Sequence, residues 1–96
     1  MGILTCEQIE DRVSNGAVLL DVRTVAEYNQ VRLPGASLIP LNDLHKVQDQ
    51  IDAGTEILVY CRTGARSGQA AGVLSQWGYD AKNIGGVIHY MQCLEY

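Results

Sequence analysis

The chain has 96 residues, 47% of them hydrophobic, a net charge of −4 and a pI of about 4.9. That length allows one domain over residues 1–96, burying about 60–65% of the surface its unfolded form exposes. The acidic balance argues against nucleic acid or an anionic membrane as the main partner. No apolar run is long enough to cross a bilayer.

Met1 to Glu7 carries neither a basic n-region nor an apolar h-region, so no signal peptide is expected. Met1-Gly2 lacks the Ser or Thr at position 6 that myristoylation requires, because Cys6 stands there. A cytoplasmic location is the expectation. Ile3-Leu4 reads as a short first strand or edge segment. Thr5 with Gln8 forms a capping box for a helix carrying Ile9 and Val13, closed by Asn15-Gly16.

Ala17 to Val22 is apolar without alternation apart from Asp21, as in a parallel strand covered on both faces. Thr24 with Glu27 gives a second capping box and a helix from Val25 to Gln30. Leu33-Pro34-Gly35 is a turn, and Ala36 to Ile39 a short strand stopped by Pro40. Asn42 or Asp43 is expected to cap the next helix, with Leu44, Val47 and Ile51 on its apolar side. Gly54-Thr55 breaks it.

Ile57 to Tyr60 is the next buried strand, ending at Cys61. From Arg66 to Trp77, apolar Ala70, Val73, Leu74 and Trp77 make a helical stripe. Gly68 and Gly72 each cost that helix about 1 kcal/mol against alanine, so a close neighbour is expected there. Gly78 is a stop signal. Ala81 to Ile84 is a last strand, Gly85-Gly86 turns the chain, and Val87 to Leu94 is expected to be a terminal helix. Five strands alternate with helical segments. The expected fold is α/β, with a mainly parallel five-stranded sheet flanked by helices on both faces.

The chemistry concentrates at Cys61-Arg62-Thr63-Gly64-Ala65-Arg66-Ser67. The thiolate is the nucleophile, and a free cysteine ionises near pH 8.5. Here the following helix turns its N-terminal partial charge and free N–H groups toward the sulfur. Arg62 and Arg66 add positive charge, and the small Thr63-Gly64-Ala65 lets backbone N–H groups converge on an anion. Cys61 also closes a strand at its carboxyl end, where open α/β sheets bind ligands. A random cysteine is more often buried and inert; two arginines, a glycine and a helix start within six residues outweigh that reading.

A loop from Cys to Arg also serves phosphate. Cysteine phosphatases and arsenate-handling relatives place the arginine after five intervening residues, which here is position 67. Residue 67 is Ser, and the arginine is Arg66, one earlier. The smaller ring favours a compact terminal sulfur over a phosphoryl group.

These residues resemble the rhodanese-like sulfurtransferases over Leu19 to Tyr90. Leu20-Asp21-Val22-Arg23-Thr24 with Glu27-Tyr28 is similar to the family's first signature, and Leu33-Pro34-Gly35-Ala36 with Ile39-Pro40 to its continuation. Cys61 to Arg66 resembles the six-residue active loop, followed by Ser67. Gly85-Gly86 with Tyr90 resembles the closing signature, where Trp is commoner. One departure is Val31-Arg32 in place of Gly-His before the Leu-Pro-Gly-Ala segment. Arg32 is expected to extend the positive rim or to pair with an acid.

The resemblance implies a thiosulfate sulfurtransferase. Cys61 would take the outer sulfur of thiosulfate or another persulfide donor, and pass it to cyanide, a thiol or a protein cysteine. Backbone N–H groups of Arg62, Thr63, Gly64, Ala65, Arg66 and Ser67 would hold the sulfur, with Arg66 orienting the donor and Arg62 assisting. Neither a metal nor an organic cofactor is implied. Two alternatives stand beside this. One is a non-catalytic interaction or regulatory module, which has no physical need for the thiol. The other is a phosphatase or arsenate reductase, which the short loop disfavours.

The remaining candidates read as structural. Asp21 and Arg23 belong to an ion-pair network under the loops, with Glu27 the expected partner of Arg23. His45 and His89 lack a ligand partner at metal spacing. Cys6, Cys61 and Cys93 are an odd count at unrelated spacings with no C-x-x-C pair, so no disulfide framework is expected, and Cys6 and Cys93 read as bystanders in a reducing compartment.

Overall fold

The computed structural model describes residues 2–94. Four parallel strands form one sheet: β1 (Val18–Asp21), β2 (Ser37–Leu38), β3 (Glu56–Cys61) and β4 (Asp80–Gly86), in the order β2-β1-β3-β4. The helices are α1 (Cys6–Ser14), α2 (Val25–Gln30), α3 (Val47–Gln50) and α4 (Ala65–Gln76). Parallel neighbours require crossovers, and the helices supply them.

Successive residues of the central strands feed opposite faces of the sheet. Leu58, Tyr60 and Leu19 join Ile9 of α1, Ile84 and Tyr90 in one buried cluster. Ile57, Val59, Cys61 and Leu20 join Val47 of α3 and Ala70, Ala71 and Leu74 of α4 in the other. This is why β1 and β3 read as continuous apolar runs. The thiol side of β3 is therefore the α4 side.

Both capping boxes form as expected. Thr5 Oγ1 accepts from Gln8 N at 3.0 Å while Gln8 Oε1 accepts from Thr5 N at 2.8 Å. Thr24 and Glu27 repeat the exchange at 3.2 and 3.1 Å. The helix stop at Gly78 takes a φ of +95°, which suits glycine.

Several expectations are corrected. The sheet has four strands, not five: Ile3-Leu4 forms no strand, because the Leu4 N–H donates instead to the Tyr90 hydroxyl at 3.0 Å. Neither Asn42 nor Asp43 caps a helix. Pro40 leads into a 3-10 stretch, Leu41–Lys46, that runs into α3 without a side-chain cap. The terminal helix is two 3-10 turns, Val87–His89 and Met91–Cys93, separated at Tyr90. Tyr90 is anchored by its hydroxyl donating to Ile84 O at 2.6 Å. In α4 the buried face is Ser67, Ala70, Ala71 and Leu74, whereas Val73 is exposed. Gly68 does meet a neighbour, since an added Cβ would lie 3.4 Å from Asn83 Nδ2, but Gly72 faces open space.

Cys6 and Cys93 are not bystanders. They form a disulfide across 87 residues of sequence, with Cα atoms 6.1 Å apart, joining the start of α1 to the last turn. Irregular spacing along the chain hid a pairing that only the folded topology creates. Among the described residues, no helix is long and apolar enough to cross a membrane.

Candidate active site

β3 delivers Cys61 to the carboxyl edge of the sheet, and α4 begins four residues later. Gly64 makes that short connection work. Its φ of +109° lies in the left-handed region. In this conformation its N–H points back at the sulfur, 3.0 Å from Cys61 Sγ. Ser67, fully buried in the first turn of α4, brings its Oγ within 3.3 Å of the same atom. Burial raises the thiol pKa, but hydrogen bonds from the Ser67 hydroxyl and from backbone N–H groups of Ser67, Gly64 and Thr63 outweigh it and lower the pKa below the ordinary thiol value. Cys61 is 1% exposed, and it is the free cysteine among the described residues.

The loop is clamped from outside by β4 and the turn after it. Ile88 N donates to Arg62 O, and a Cβ on Gly86 would collide with the Arg62 carbonyl and Thr63 N. Asn83 holds the loop from the side, donating Nδ2 to Gly64 O at 3.0 Å and accepting from Ser67 Oγ at 2.7 Å. His89 is a structural residue, its Nδ1 accepting from Gly86 N at 3.1 Å.

The two arginines of the loop part company. Arg66 makes a two-point ion pair with Glu27 of α2, at 2.8 and 3.1 Å. The Arg66 hydrogen bonds hold the Glu27 carboxyl down at about 2. Arg66 lines a cleft of about 170 Å³ with Val22, Pro40 and Leu41. Arg62 is exposed and lines a second cleft, about 300 Å³, with Gln30, Val31 and Val87. The side chains of Thr63 and Ala65 face solvent, so their contribution to the loop is backbone.

Arg23 is paired with Asp21 and not, as expected, with Glu27. Its Nε and one terminal nitrogen bond the Asp21 carboxylate at 2.7–3.1 Å, and that nitrogen also reaches Val31 O at 2.6 Å. Both side chains are buried, and the pair props the β1 end against the Val31 segment. Glu27 bonds the Thr24 N–H and Arg66 instead. Arg32 stacks over the Tyr28 ring, 4.8 Å from its centroid, and donates to Tyr28 O. Among the described residues it has no acidic partner.

Asn83 and the Glu27–Arg66 pair were not singled out in the sequence. The available signal for Asn83 was an amide two residues before Gly-Gly, on a strand that abuts the cysteine strand. Nothing in the sequence distinguishes Arg66 from Arg23 as the partner of Glu27.

A parallel α/β fold that ends a central strand in an ionisable thiol, cradled by backbone N–H groups and closed by an arginine, defines a class of cysteine-loop domains. The rhodanese-like domain family matches residues 5–89, and the chain belongs to that family. It is 35% identical over 75 residues to a sulfurtransferase of Allochromatium vinosum, covering 76% of this chain and 70% of that protein. It is 37% identical over 71 residues to the thiosulfate sulfurtransferase PspE of Escherichia coli (strain K12), covering 71% and 68%. The crystal structure of reduced Bacillus anthracis CoADR-RHD superposes with a TM-score of 0.84 at 30% identity. That match covers 100% of this chain but only 18% of the other.

Proposed function

We propose that the chain is a sulfurtransferase that moves sulfane sulfur from thiosulfate, or a related persulfide donor, to a thiol or cyanide through a persulfide on Cys61. The observation that carries this reading is the convergence of Gly64 N–H and the Ser67 hydroxyl on a sulfur whose pKa is lowered. The kinship with sulfurtransferases supports it.

The thiolate of Cys61 attacks the outer sulfur of thiosulfate. A new S–S bond forms to Sγ, the donor S–S bond breaks, and its electron pair leaves on sulfite. An acceptor nucleophile then attacks the outer sulfur, and the electron pair returns to Sγ. The six-residue ring is matched to one sulfur atom. Arg66, held by Glu27 beside the loop, attracts the anionic donor, and Arg62, exposed in the second cleft, assists it.

The test is thiocyanate formation from thiosulfate and cyanide. Wild type should turn over and Cys61→Ser should not. Arg66→Ala should lose about tenfold or more in kcat/KM, in line with the about 1.5–3 kcal/mol that a hydrogen bond to a charged group contributes. Turnover in Cys61→Ser would refute the mechanism, and unchanged kinetics in Arg66→Ala would remove Arg66 from the site.

A further inference from the structure

Ser67 has one hydroxyl proton and three acceptors within reach: Cys61 Sγ at 3.3 Å, Asn83 Oδ1 at 2.7 Å and Gly85 O at 3.3 Å. The Asn83 amide cannot rotate to resolve this. Its Nδ2 is committed to Gly64 O at 3.0 Å, and its Oδ1 receives the Gly85 N–H at 3.0 Å. Flipping the amide would set oxygen against oxygen at Gly64 and N–H against N–H at Gly85. The amide oxygen therefore faces Ser67 permanently.

Two proton arrangements follow. With Cys61 as a thiol, S–H donates to Ser67 Oγ, Ser67 donates to Asn83 Oδ1, and each group is matched. With Cys61 as a thiolate, Ser67 must turn its proton to the sulfur. The serine and asparagine oxygens then face each other at 2.7 Å with no proton between them. We infer that Asn83 is a positioning residue that competes with the Cys61 sulfur for the single Ser67 proton, making the free thiolate costlier and therefore more nucleophilic. Nucleophilicity of a thiolate rises with its basicity. On the reading that Cys61 carries a sulfur atom, the inference extends one step. An inner persulfide sulfur is bonded on both sides and uncharged, so the proton returns to Asn83 and the loaded form is favoured over the free one.

Other charged groups around the sulfur are arranged so that this competition can be isolated. Arg66 from α4 acts on Cys61 electrostatically but is paired with Glu27 of α2. Asp21 at the β1 end is paired with Arg23. Arg62 follows Cys61 in the loop, and His89 after β4 has its Nδ1 occupied by the Gly86 N–H. None of them shares the Ser67 proton.

The experiment is a double-mutant cycle on the Cys61 titration, read from its 13Cβ NMR shift in wild type, Ser67→Ala, Asn83→Leu and the double variant. The disulfide cysteines do not titrate. If Asn83 only held the loop in place, its removal would shift the titration equally with or without Ser67. The competition instead predicts that Asn83→Leu moves the midpoint to lower pH with Ser67 present, relative to its effect in Ser67→Ala. The expected difference is about half a pH unit or more, which is about threefold in thiolate fraction. Additive shifts, or a coupling of opposite sign, would overturn the inference. Asn83→Ala carries the same test if the leucine variant does not fold. The readout needs no sulfur donor, so a chain that proved unable to transfer sulfur would still answer it. A coupled titration in such a chain would retain the proton competition and remove the loaded-state step.

Discussion

The proposed mechanism sets Cys61 two opposed demands, since the residue is buried and would have to ionise. The loop meets both by bringing hydrogen-bond donors to the sulfur instead of water. Because the thiol pKa is lowered, sulfur loading should rise with pH through a midpoint below the ordinary thiol value and level off above that midpoint. A pH profile of the loading rate checks this, and a midpoint at or above the free-thiol range would contradict it. Glu27 is the companion case. Its folded pKa, about 2, lies below its unfolded value of 4.5. Its contribution to stability is therefore present above pH 4.5 and lost as pH falls toward 2. The pair is partly exposed, so that contribution is under about 1 kcal/mol. Glu27→Gln should thus leave the unfolding free energy nearly unchanged while loosening Arg66 and lowering kcat/KM, by up to about 100-fold if the guanidinium is displaced by about 1 Å. At this scale the meeting of Cys61 with a glycine loop at a helix start was legible; the contact of the Ser67 hydroxyl with the sulfur was not, since Ser67 was expected to act through its backbone N–H. Asn83 and the partner of Arg66 were not legible either, because those contacts join residues 16 and 39 positions apart.

Among the elements, the strand β3 and the helix α4 do most to make the site, and β4 holds it closed. Gly86 sits against the Arg62 carbonyl, with no room for a side chain. Gly86→Ala should push the loop off β4, destabilise the fold by about 1–3 kcal/mol as overpacked sites do, and reduce loading even with Cys61 intact. Denaturant unfolding with a loading assay checks both, and a variant as stable and active as wild type would refute the clamp. α2 answers a different question, because Thr24 both caps it and fixes Glu27. Thr24→Ala should cost about 1 kcal/mol. Both capping boxes, β3, α4 and the body of β4 were legible because local rules govern them: a Ser or Thr three residues before Glu or Gln, an apolar run, a glycine stop. Gly85-Gly86 was expected to be a turn, but β4 runs on through Gly86, which pairs with Cys61. Ile3-Leu4 and the segment from Val87 to Leu94 were misread because their backbone is decided by Tyr90. A propensity rule cannot know that Tyr90 bonds Leu4 and Ile84 instead of continuing a helix.

Across the whole molecule, the disulfide closes nearly the full chain by tying α1 to the segment after β4. That segment also presses on the loop through Ile88, next to Gly86 at the end of β4. By the chain-entropy account, a loop of this length contributes about 4.6 kcal/mol. Cys93→Ser should therefore lower the unfolding free energy by about 2–5 kcal/mol, and an unchanged denaturant midpoint would show that the bridge carries no weight in solution. The parallel α/β class was legible from the alternation of strands and helices. The bridge was not, because separation along a sequence says nothing of separation in the fold.

The proposed function stands on the uptake of a sulfur atom by Cys61. The direct measurement is the intact mass of the protein after incubation with thiosulfate, for wild type and Cys61→Ser. The predicted result is one added sulfur atom in wild type, lost again on exposure to cyanide, and none in Cys61→Ser. A wild-type mass unchanged by thiosulfate and by persulfide donors, or equal sulfur uptake in Cys61→Ser, would contradict it.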